Sequence, residues 1–358
     1  MGELNFFDTY VLLAITEEIV PKKTFFKDRY FPTGAGDVFA ADKVLTEYRK
    51  GDRKMAAFVS ERVGDIPLAR RGYEIHEYQP AFIAPSRLLT QDDLRKRGFG
   101  EALYPGMTRS QRAARLQLDD MTDMDRRITL REEWMCAQTM INNACTMQTY
   151  IDDNTQGEIL YVKFFDTQTS EHIYTIQYKW DTANGNIRGD VIAMCRMLSK
   201  RGLRAADLVL GTDVAECILH NQELRELLDK NSGIITGEIR ETLSQYEGVV
   251  FMGRINFGGF ELNLISVDET YVDENDQEAT MFPATSVMIT APGCGHLMYG
   301  QITQIDYGSE NFTDHAGIRV PKFMLDQPND IRKLRLAARP LAAPHNYCPY
   351  VYASNVVG

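Results

Sequence analysis

The chain of 358 residues has no segment that resembles a membrane span or a secretory leader. No apolar run approaches the roughly 18 residues that a transmembrane helix needs. The first residues, MGELNFFDTYVLLAITEEIV, lack the basic start and small-residue cleavage site of a signal peptide. We therefore expect a protein that is made inside the cell and has no membrane partner.

Metal-binding and disulfide patterns are also missing. The six cysteines show no CxxC spacing, and the histidines show no HxxxH or HExxH pair. The cysteines are Cys136, Cys145, Cys195, Cys217, Cys294 and Cys348. The pattern predicts reduced, mostly buried thiols, and neither a zinc site nor a cofactor.

The chain has no excess of basic residues, because its formal net charge is −11 and its pI is about 5.2. This charge excludes a protein whose main work is gripping phosphates, since that work needs a basic field. Two local basic clusters are interpreted as solvated faces or salt bridges between proteins. They are Arg109, Arg112 and Arg115, and Arg332, Lys333, Arg335 and Arg339.

The most distinctive stretch that is present runs from Thr108 to Asn142, 35 residues without Gly or Pro. Its apolar residues recur at helical spacing among charged ones, which predicts an amphipathic rod rather than a buried core helix. A helix of this length extends roughly 50 Å. Such a rod needs another surface packed along it.

The remaining segments predict a mixture of strands and helices. Strands are expected at Met55–Val59 and Tyr73–Tyr78, and a hairpin is expected between Ile159–Phe165 and His172–Trp180. An α/β pattern follows, with a helix over Ile187–Arg201, a strand at Leu208–Leu210 and a helix over Asp213–Asp229. Further strands are predicted at 248–252, 259–267, 286–290, 299–306 and 331–336. With 44% apolar and 25% charged residues, this is the composition of a packed α+β protein.

The motif TGAGDVFAA, Thr33 to Ala41, resembles the catalytic signature of ribokinase-like sugar kinases, in which Asp37 would be the base. In those enzymes the motif follows a large sheet, whereas only 32 residues precede it here. A Gly-rich turn that opens a strand is the favoured interpretation.

Two other patterns favour structural roles over chemical ones. The Cys294–His296 triplet, CGH, is interpreted as a packed cysteine beside a hydrogen-bonded histidine, because adjacent residues seldom point at one atom. The acidic run from Asp268 to Glu278 lacks the Gly and the terminal Glu spacing of an EF-hand loop. We interpret it as a solvated hairpin turn.

Three segments of the chain carry a resemblance to a known family. They are LLAITEEIVPKKTFFKDRYFPT, the run YPGMTRSQRAARLQLDDMTDMDRRITLREEWMCAQTM, and the tail IRVPKFMLDQPNDIRKLRLAARPLAAPHNYCPYVY. Together they resemble the lambda-type major capsid proteins of tailed phages, the capsid protein E family. The resemblance extends over most of the chain as a diffuse pattern.

The resemblance implies a Hong Kong 97-like fold in five parts. These are an N-terminal arm (1–33), an extended β-loop (34–84), a peripheral domain with the long spine helix (85–180), an axial α/β domain (181–305) and a return to the peripheral domain (306–358). It implies a major capsid protein that assembles into hexamers and pentamers of an icosahedral shell around double-stranded DNA. Other copies, portal, scaffolding and decoration proteins are the expected partners, with packaged DNA in weak, non-specific proximity. The protein is expected in the virion, after assembly in the host cytoplasm.

Two sets of side chains are predicted to form contacts between copies. Aromatic residues of the arm have no evident local core, and charged residues lie near a turn with no evident local partner. The arm set is Phe25, Phe26, Tyr30 and Phe31, expected against a neighbour's spine helix. The loop set is Arg53, Lys54, Arg62, Arg70 and Arg71, expected against acidic residues of a neighbour.

Two other functions compete with this hypothesis. A tail-tube or ring protein would also oligomerise without catalysis, but would form rings or tubes. A sugar kinase would require Asp37 for phosphoryl transfer. The preferred hypothesis is a structural protein and not an enzyme.

Overall fold

The structure is a computed structural model, which describes most of the chain. The described residues are 23–41, 43–48, 74–90, 92–93, 109–152, 155–165, 171–221, 224, 246–274, 276–326 and 331–358. The helices are α1 (Phe25–Tyr30), α2 (Arg109–Asn142), α3 (Ile187–Lys200) and α4 (Thr212–His220). Within these ranges, no helix combines the length and apolarity that crossing a membrane would take.

The strands are short and numerous. They are β1 (Val44–Tyr48), β2 (Glu74–Tyr78), β3 (Ser86–Leu89), β4 (Ala144–Asp152), β5 (Thr155–Lys163), β6 (Asp207–Leu210), β7 (Val249–Phe257), β8 (Phe260–Val267), β9 (Thr270–Val272), β10 (Glu278–Thr280), β11 (Val287–Thr290), β12 (Gly295–Tyr299), β13 (Ile302–Ile305), β14 (Phe312–His315), β15 (Val320–Asp326), β16 (Ile331–Ala337), β17 (Pro340–Pro344) and β18 (Val351–Ala353).

Helix α2, the spine helix, confirms the predicted rod over Arg109–Asn142. Its first half is amphipathic, with Met121, Met124 and Ile128 buried in one stripe. The prediction that it is not a core helix is wrong for the second half, because every residue between 132 and 141 is buried except Trp134 and Gln138, which are partly buried. Helix α1 and strands β4 and β17 surround this half, so it is covered on several sides.

The largest sheet has five strands in the order β18-β11-β6-β8-β7. Strands β6 and β8 are parallel and the other neighbours are antiparallel. Successive side chains of a strand point to opposite faces. Accordingly, Leu208 and Leu210 pack with α3 and α4 on one face, while Val209 packs with the aromatic residues of α1 on the other. The helix predicted over Ile187–Arg201 and the strand predicted at Leu208–Leu210 are thus confirmed, whereas the helix predicted over Asp213–Asp229 ends at His220, because Asn221 is extended.

A second sheet of three strands, β15-β16-β3, packs against the first half of the spine helix. Phe323 and Leu334 of its inner face pack against the Met121, Met124 and Ile128 stripe. Strands β12 and β17 form a separate antiparallel pair, and β17 contacts the spine helix. The spine helix therefore joins the two sheets.

The predicted hairpin between Ile159–Phe165 and His172–Trp180 is wrong. Strand β5 pairs instead with β4, which follows the spine helix directly. This pairing places Val162 beside Cys145, on the face that joins the main core. Of the segment 172–180, only Ile173 forms a bridge, to Tyr352.

Two other regions are predicted to form strands or hairpins, one between residues 55 and 78 and one between residues 268 and 278. Strand β2 confirms Glu74–Tyr78 of the predicted Tyr73–Tyr78 strand and pairs with β1. Tyr73 and the predicted strand Met55–Val59 lie outside the described residues. The acidic run from Asp268 to Glu278 includes the β9–β10 hairpin, as predicted.

The C-terminal strand β18 pairs with β11 at the edge of the five-stranded sheet. Residues 351–353 thus lie in the same sheet as β6, β7, β8 and β11. The predicted domains and their bounds stay predictions.

Candidate functional site

The arm–spine junction, formed by residues 24–31 and the second half of the spine helix, combines an aromatic core with buried hydrogen bonds and ion pairs. The rings of Phe25, Phe26, Tyr30 and Phe31 are each 0% exposed. Phe26 packs 5.1 Å from the Phe25 ring and 6.2 Å from the Phe282 ring, centroid to centroid. The rings thus fill a core between the spine helix and the five-stranded sheet.

This packing bears on the predicted contact between copies. The argument that the arm aromatics lack a local core is wrong, because this chain's own spine helix and sheet supply one. Their burial against a neighbouring copy is a property of the assembled protein, which a single chain does not test. That contact stays a prediction.

Glu133 ties the backbone of α1 to the spine helix. Its side chain is buried and accepts hydrogen bonds from the amides of Phe26, at 2.5 Å, and Lys27, at 2.7 Å. Burial, followed by the nearby charge of Glu269, raises the pKa of Glu133 to about 8. The folded protein therefore holds a proton on this carboxyl at neutral pH.

We expect the stability of the wild type, relative to a Glu133→Gln variant, to fall as the pH rises from about 5 to 9. In the unfolded chain the carboxyl ionises near its ordinary value of 4.5, so the folded state binds the extra proton between these values and loses it near pH 8. Glutamine keeps an acceptor oxygen but cannot ionise, so the difference should reach on the order of 2–4 kcal/mol. Thermal unfolding of both proteins across this pH range measures it.

The matched control is Glu158→Gln, which changes an exposed carboxyl on β5. If the difference in unfolding stability between the wild type and Glu133→Gln stays constant with pH, the result contradicts a buried, protonated carboxyl at Glu133.

Glu132, the neighbouring residue, is the centre of a buried ionic network. Arg319 donates to its Oε1 at 2.6 Å and its Oε2 at 3.0 Å, and Lys27 Nζ lies 2.7 Å from Oε2. Tyr299 Oη donates to Oε1 at 3.0 Å. Burial alone would raise the pKa of Glu132, but Arg319 and Lys27 hold it below its ordinary value. The network connects the arm, the spine helix, β12 and the start of β15.

A second buried carboxylate connects the arm to the five-stranded sheet. Asp207, at the start of β6, is 0% exposed and receives Arg29 Nε at 2.7 Å and Nη2 at 2.9 Å. Tyr30 Oη donates to it at 3.1 Å, and Asn263 Nδ2 donates at 2.8 Å. Because burial and the charge of Asp207 raise the pKa of Tyr30, its hydroxyl stays protonated and keeps donating.

The TGAGD motif lies directly after the arm and before β1. Asp37 Oδ2 accepts the Gly34 amide at 2.6 Å, closing a turn. The motif then follows β12, because Phe39 donates its amide to Tyr299 O at 2.8 Å and Tyr299 donates to Asp37 O at 2.8 Å. The favoured interpretation of a Gly-rich turn agrees with this geometry.

The CGH triplet lies beside the same turn. Cys294 is buried, and burial raises the pKa of its thiol to about 12. His296 Nδ1 lies 3.3 Å from Asp37 Oδ2, without hydrogen-bond geometry. A buried thiol with a raised pKa is a poor nucleophile, so the packed cysteine agrees with the prediction. The predicted hydrogen bond of His296 is not found at its Nδ1 among the described residues.

The family model of phage major capsid protein E matches residues 8–353, nearly the whole chain. The chain belongs to this family. It is thus a phage major capsid protein, and the family is structural rather than enzymatic. No curated protein matches the sequence significantly.

Solved structures confirm the fold of this capsid protein. A protein described as a prophage capsid protein of Escherichia coli CFT073 superposes with a TM-score of 0.68 at 16% identity, covering 97% of this chain and 98% of the other. A phage-related protein of Bordetella bronchiseptica RB50 gives 0.53 at 12% identity, covering 98% and 97%. The capsid of Ralstonia phage GP4 gives 0.50 at 10% identity, covering 94% and 92%. The capsid protein has the Hong Kong 97-like fold.

The loop residues that were predicted to contact a neighbouring copy lie outside the described residues of the capsid protein. They are Arg53, Lys54, Arg62, Arg70 and Arg71. The sequence interpretation missed the buried charges Glu132, Glu133, Asp125 and Arg319. A signal was present, because Asp125 and Glu132 fall on the same helical stripe as Met121 and Ile128, where a charge requires a buried partner.

Proposed function

We propose that many copies of this capsid protein assemble into hexamers and pentamers of an icosahedral shell that encloses double-stranded DNA. The observation that carries the proposal is the family match over residues 8–353. In this proposal, residues 1–33 are the arm, 34–84 the extended loop, 85–180 with 306–358 the peripheral domain, and 181–305 the axial domain.

Exposed apolar side chains on the β4–β5 hairpin support assembly. Ile159 and Tyr161, two residues apart on β5, are 59% and 62% exposed, and Tyr150 on β4 is 43% exposed. Ile159 and Tyr161 lie on the face opposite Val162, which packs into the core. Large apolar side chains grouped on one exposed face mark surfaces that another protein covers. A neighbouring copy is the cover proposed here.

The other proposed contacts concern the arm and the extended loop. The loop arginines and lysine are proposed to pair with acidic residues of the next copy. Each exposed pair contributes only about 0–1 kcal/mol, but repetition over a closed shell sums many such contacts. Portal, scaffolding and decoration proteins are proposed further partners, assembly takes place in the host cytoplasm, and packaged DNA is held without tight binding because the chain is acidic.

Electron microscopy of the purified, expressed protein tests the proposal. We expect closed shells of uniform diameter, with hexameric and pentameric units in averaged images, and fast sedimentation in a sucrose gradient. Open rings or tubes would instead support a tail-tube or ring protein. A monomer that persists at high concentration would refute self-assembly by this chain alone.

A further inference from the structure

The outer face of the three-stranded sheet β15-β16-β3 is strongly basic. The inner face packs on the spine helix through Phe323 and Leu334, so the alternate side chains point away from the helix. These are Lys322, Met324 and Asp326 of β15, Ile331, Lys333 and Arg335 of β16, and Leu88 of β3, which is 57% exposed, so three basic side chains share the face with one acidic one. We call this set the basic face.

The basic side chains of this face lie close together on adjacent strands, with Asp306 near Lys322. Lys322 lies directly opposite Arg335 in the strand register, and like charges in this position repel each other. Burial, and then Arg335, lower the pKa of Lys322, although Asp306 opposes this. Arg335 donates to Gln304 Oε1 at 3.0 Å, but its buried Nε has no hydrogen-bond partner among the described residues. The face therefore favours an anionic occupant.

The β9–β10 hairpin, with its turn, is the complementary surface. Residues 268–280, DETYVDENDQEAT, contain no Lys or Arg. Val272, 60% exposed, lies opposite Glu278 on the outer side of the hairpin. We call this segment the acidic hairpin.

The acidic hairpin is held firmly at its inner side. Trp134 Nε1 of the spine helix donates to Tyr271 Oη at 3.0 Å, and Arg131 pairs with Glu274. The Arg131 guanidinium also lies 5.1 Å from the centre of the Trp134 ring. An isolated two-stranded hairpin is marginal in water, so these contacts fix its position and leave its acidic outer side available.

Within one chain the two surfaces do not face each other. The sheet packs beneath Met121, Met124 and Ile128, whereas the hairpin packs beside Arg131 and Trp134. These attachment points are on the order of 10 Å apart along the helix axis. The basic face also points away from the spine helix, on which the hairpin rests.

We infer that the acidic hairpin of one copy docks on the basic face of a neighbouring copy. The acidic side chains of the hairpin lie against the basic side chains of the sheet. Val272 packs on Leu88 and Met324, which lie between the basic side chains. Because the two surfaces differ, the contact is heterologous, and repeated contacts of this type close into a ring when the rotation allows it. The inference rests on the proposed function, since it names one of the interfaces through which copies assemble.

Charge exchange between the two surfaces tests the inference. The first variant is Lys322→Glu/Lys333→Glu, and the second is Asp276→Asn/Glu278→Lys. Asparagine is chosen at Asp276 because this residue has a φ of 56°, which Asn tolerates. The third variant combines all four changes. Particle yield is measured by sedimentation and electron microscopy, and thermal unfolding checks that each protein folds.

We expect each double variant to lower the particle yield by about tenfold or more, and the combined variant to recover most of it, because like charges juxtaposed at an interface oppose assembly. The matched control, Arg126→Glu, reverses an exposed charge on the spine helix and should leave the yield unchanged. Recovery in the combined variant is a result that loss of folding could not produce.

Three results would overturn the inference. They are normal yield from both double variants, failure of the combined variant to recover, and normal shells of the basic-face variant that hold less nucleic acid. The last would assign the basic face to DNA. In each case wild-type shells would still form, whereas failure of the wild type to assemble would refute the proposed function itself.

Discussion

Replacing Arg319 with methionine should destabilise the capsid protein by about 3–5 kcal/mol. Arg319 is only 9% exposed, and its guanidinium contacts Asp125 Oδ1 at 2.7 Å as well as both oxygens of Glu132. Methionine fills a similar volume but leaves Asp125 without its charge partner in a buried site. Chemical denaturation of the unassembled chain, or the shift in its midpoint of thermal unfolding, measures the loss.

The control for this prediction is Arg115→Met. Arg115 is 45% exposed and lies 3.8 Å from Asp119, one helical turn away. An exposed pair of this kind contributes about 0.3–0.5 kcal/mol. If both variants lose equally little stability, the Arg319 network does not hold β15 to the spine helix.

Truncating Phe26 to alanine should cost about 3–5 kcal/mol, because a fully buried aromatic ring is removed and a cavity is left. The ring is 0% exposed and packs among Phe25, Tyr30 and Phe282. The change leaves the backbone amide that binds Glu133 in place, so the loss reports packing. Denaturation of the unassembled chain is again the measurement.

Phe312→Ala is the matched control, because that ring is 75% exposed and its removal should change unfolding by no more than about 0.5 kcal/mol. The result also decides the prediction about the arm. Should Phe26→Ala leave the unassembled chain as stable as the wild type while lowering particle yield, the ring belongs to a contact with a neighbouring copy.

The sequence predicts those parts of the fold whose signal is local. The spine helix follows from 35 residues without Gly or Pro, and it ends at Asn142, as predicted. Helix α3 begins where Asn186 accepts the Gly189 amide and stops before Gly202, whose φ is 83°. Asn186 and Gly202 are capping signals, and each lies within a few residues of the helix end.

The parts that could not be predicted depend on distant residues. Arg319 and Glu132 are 187 positions apart, and Arg29 and Asp207 are 178 apart. No short pattern connects such pairs. The partner of β5 was misassigned because several nearby strands have similar apolar spacing, and only the common core distinguishes them.

The same distance explains why the arm aromatics were interpreted as lacking a core. Phe26 packs against Phe282, which lies far along the chain, so the segment around Phe26 looks unsupported in sequence. An aromatic cluster beside a short helix is therefore weak evidence for a contact between copies. Charge reversal in assembled particles is the experiment that identifies the partners of the loop arginines.

Strand β18 leaves the ribosome after every other strand of its sheet. Until then β11, whose four residues are all buried in the finished protein, has an open edge where residues 351–353 later pair. Unpaired edges of this kind recruit other chains into aggregates. The newly made polypeptide thus depends on residues 351–353 to close the sheet, and a deletion of these residues should trap it in inclusion bodies.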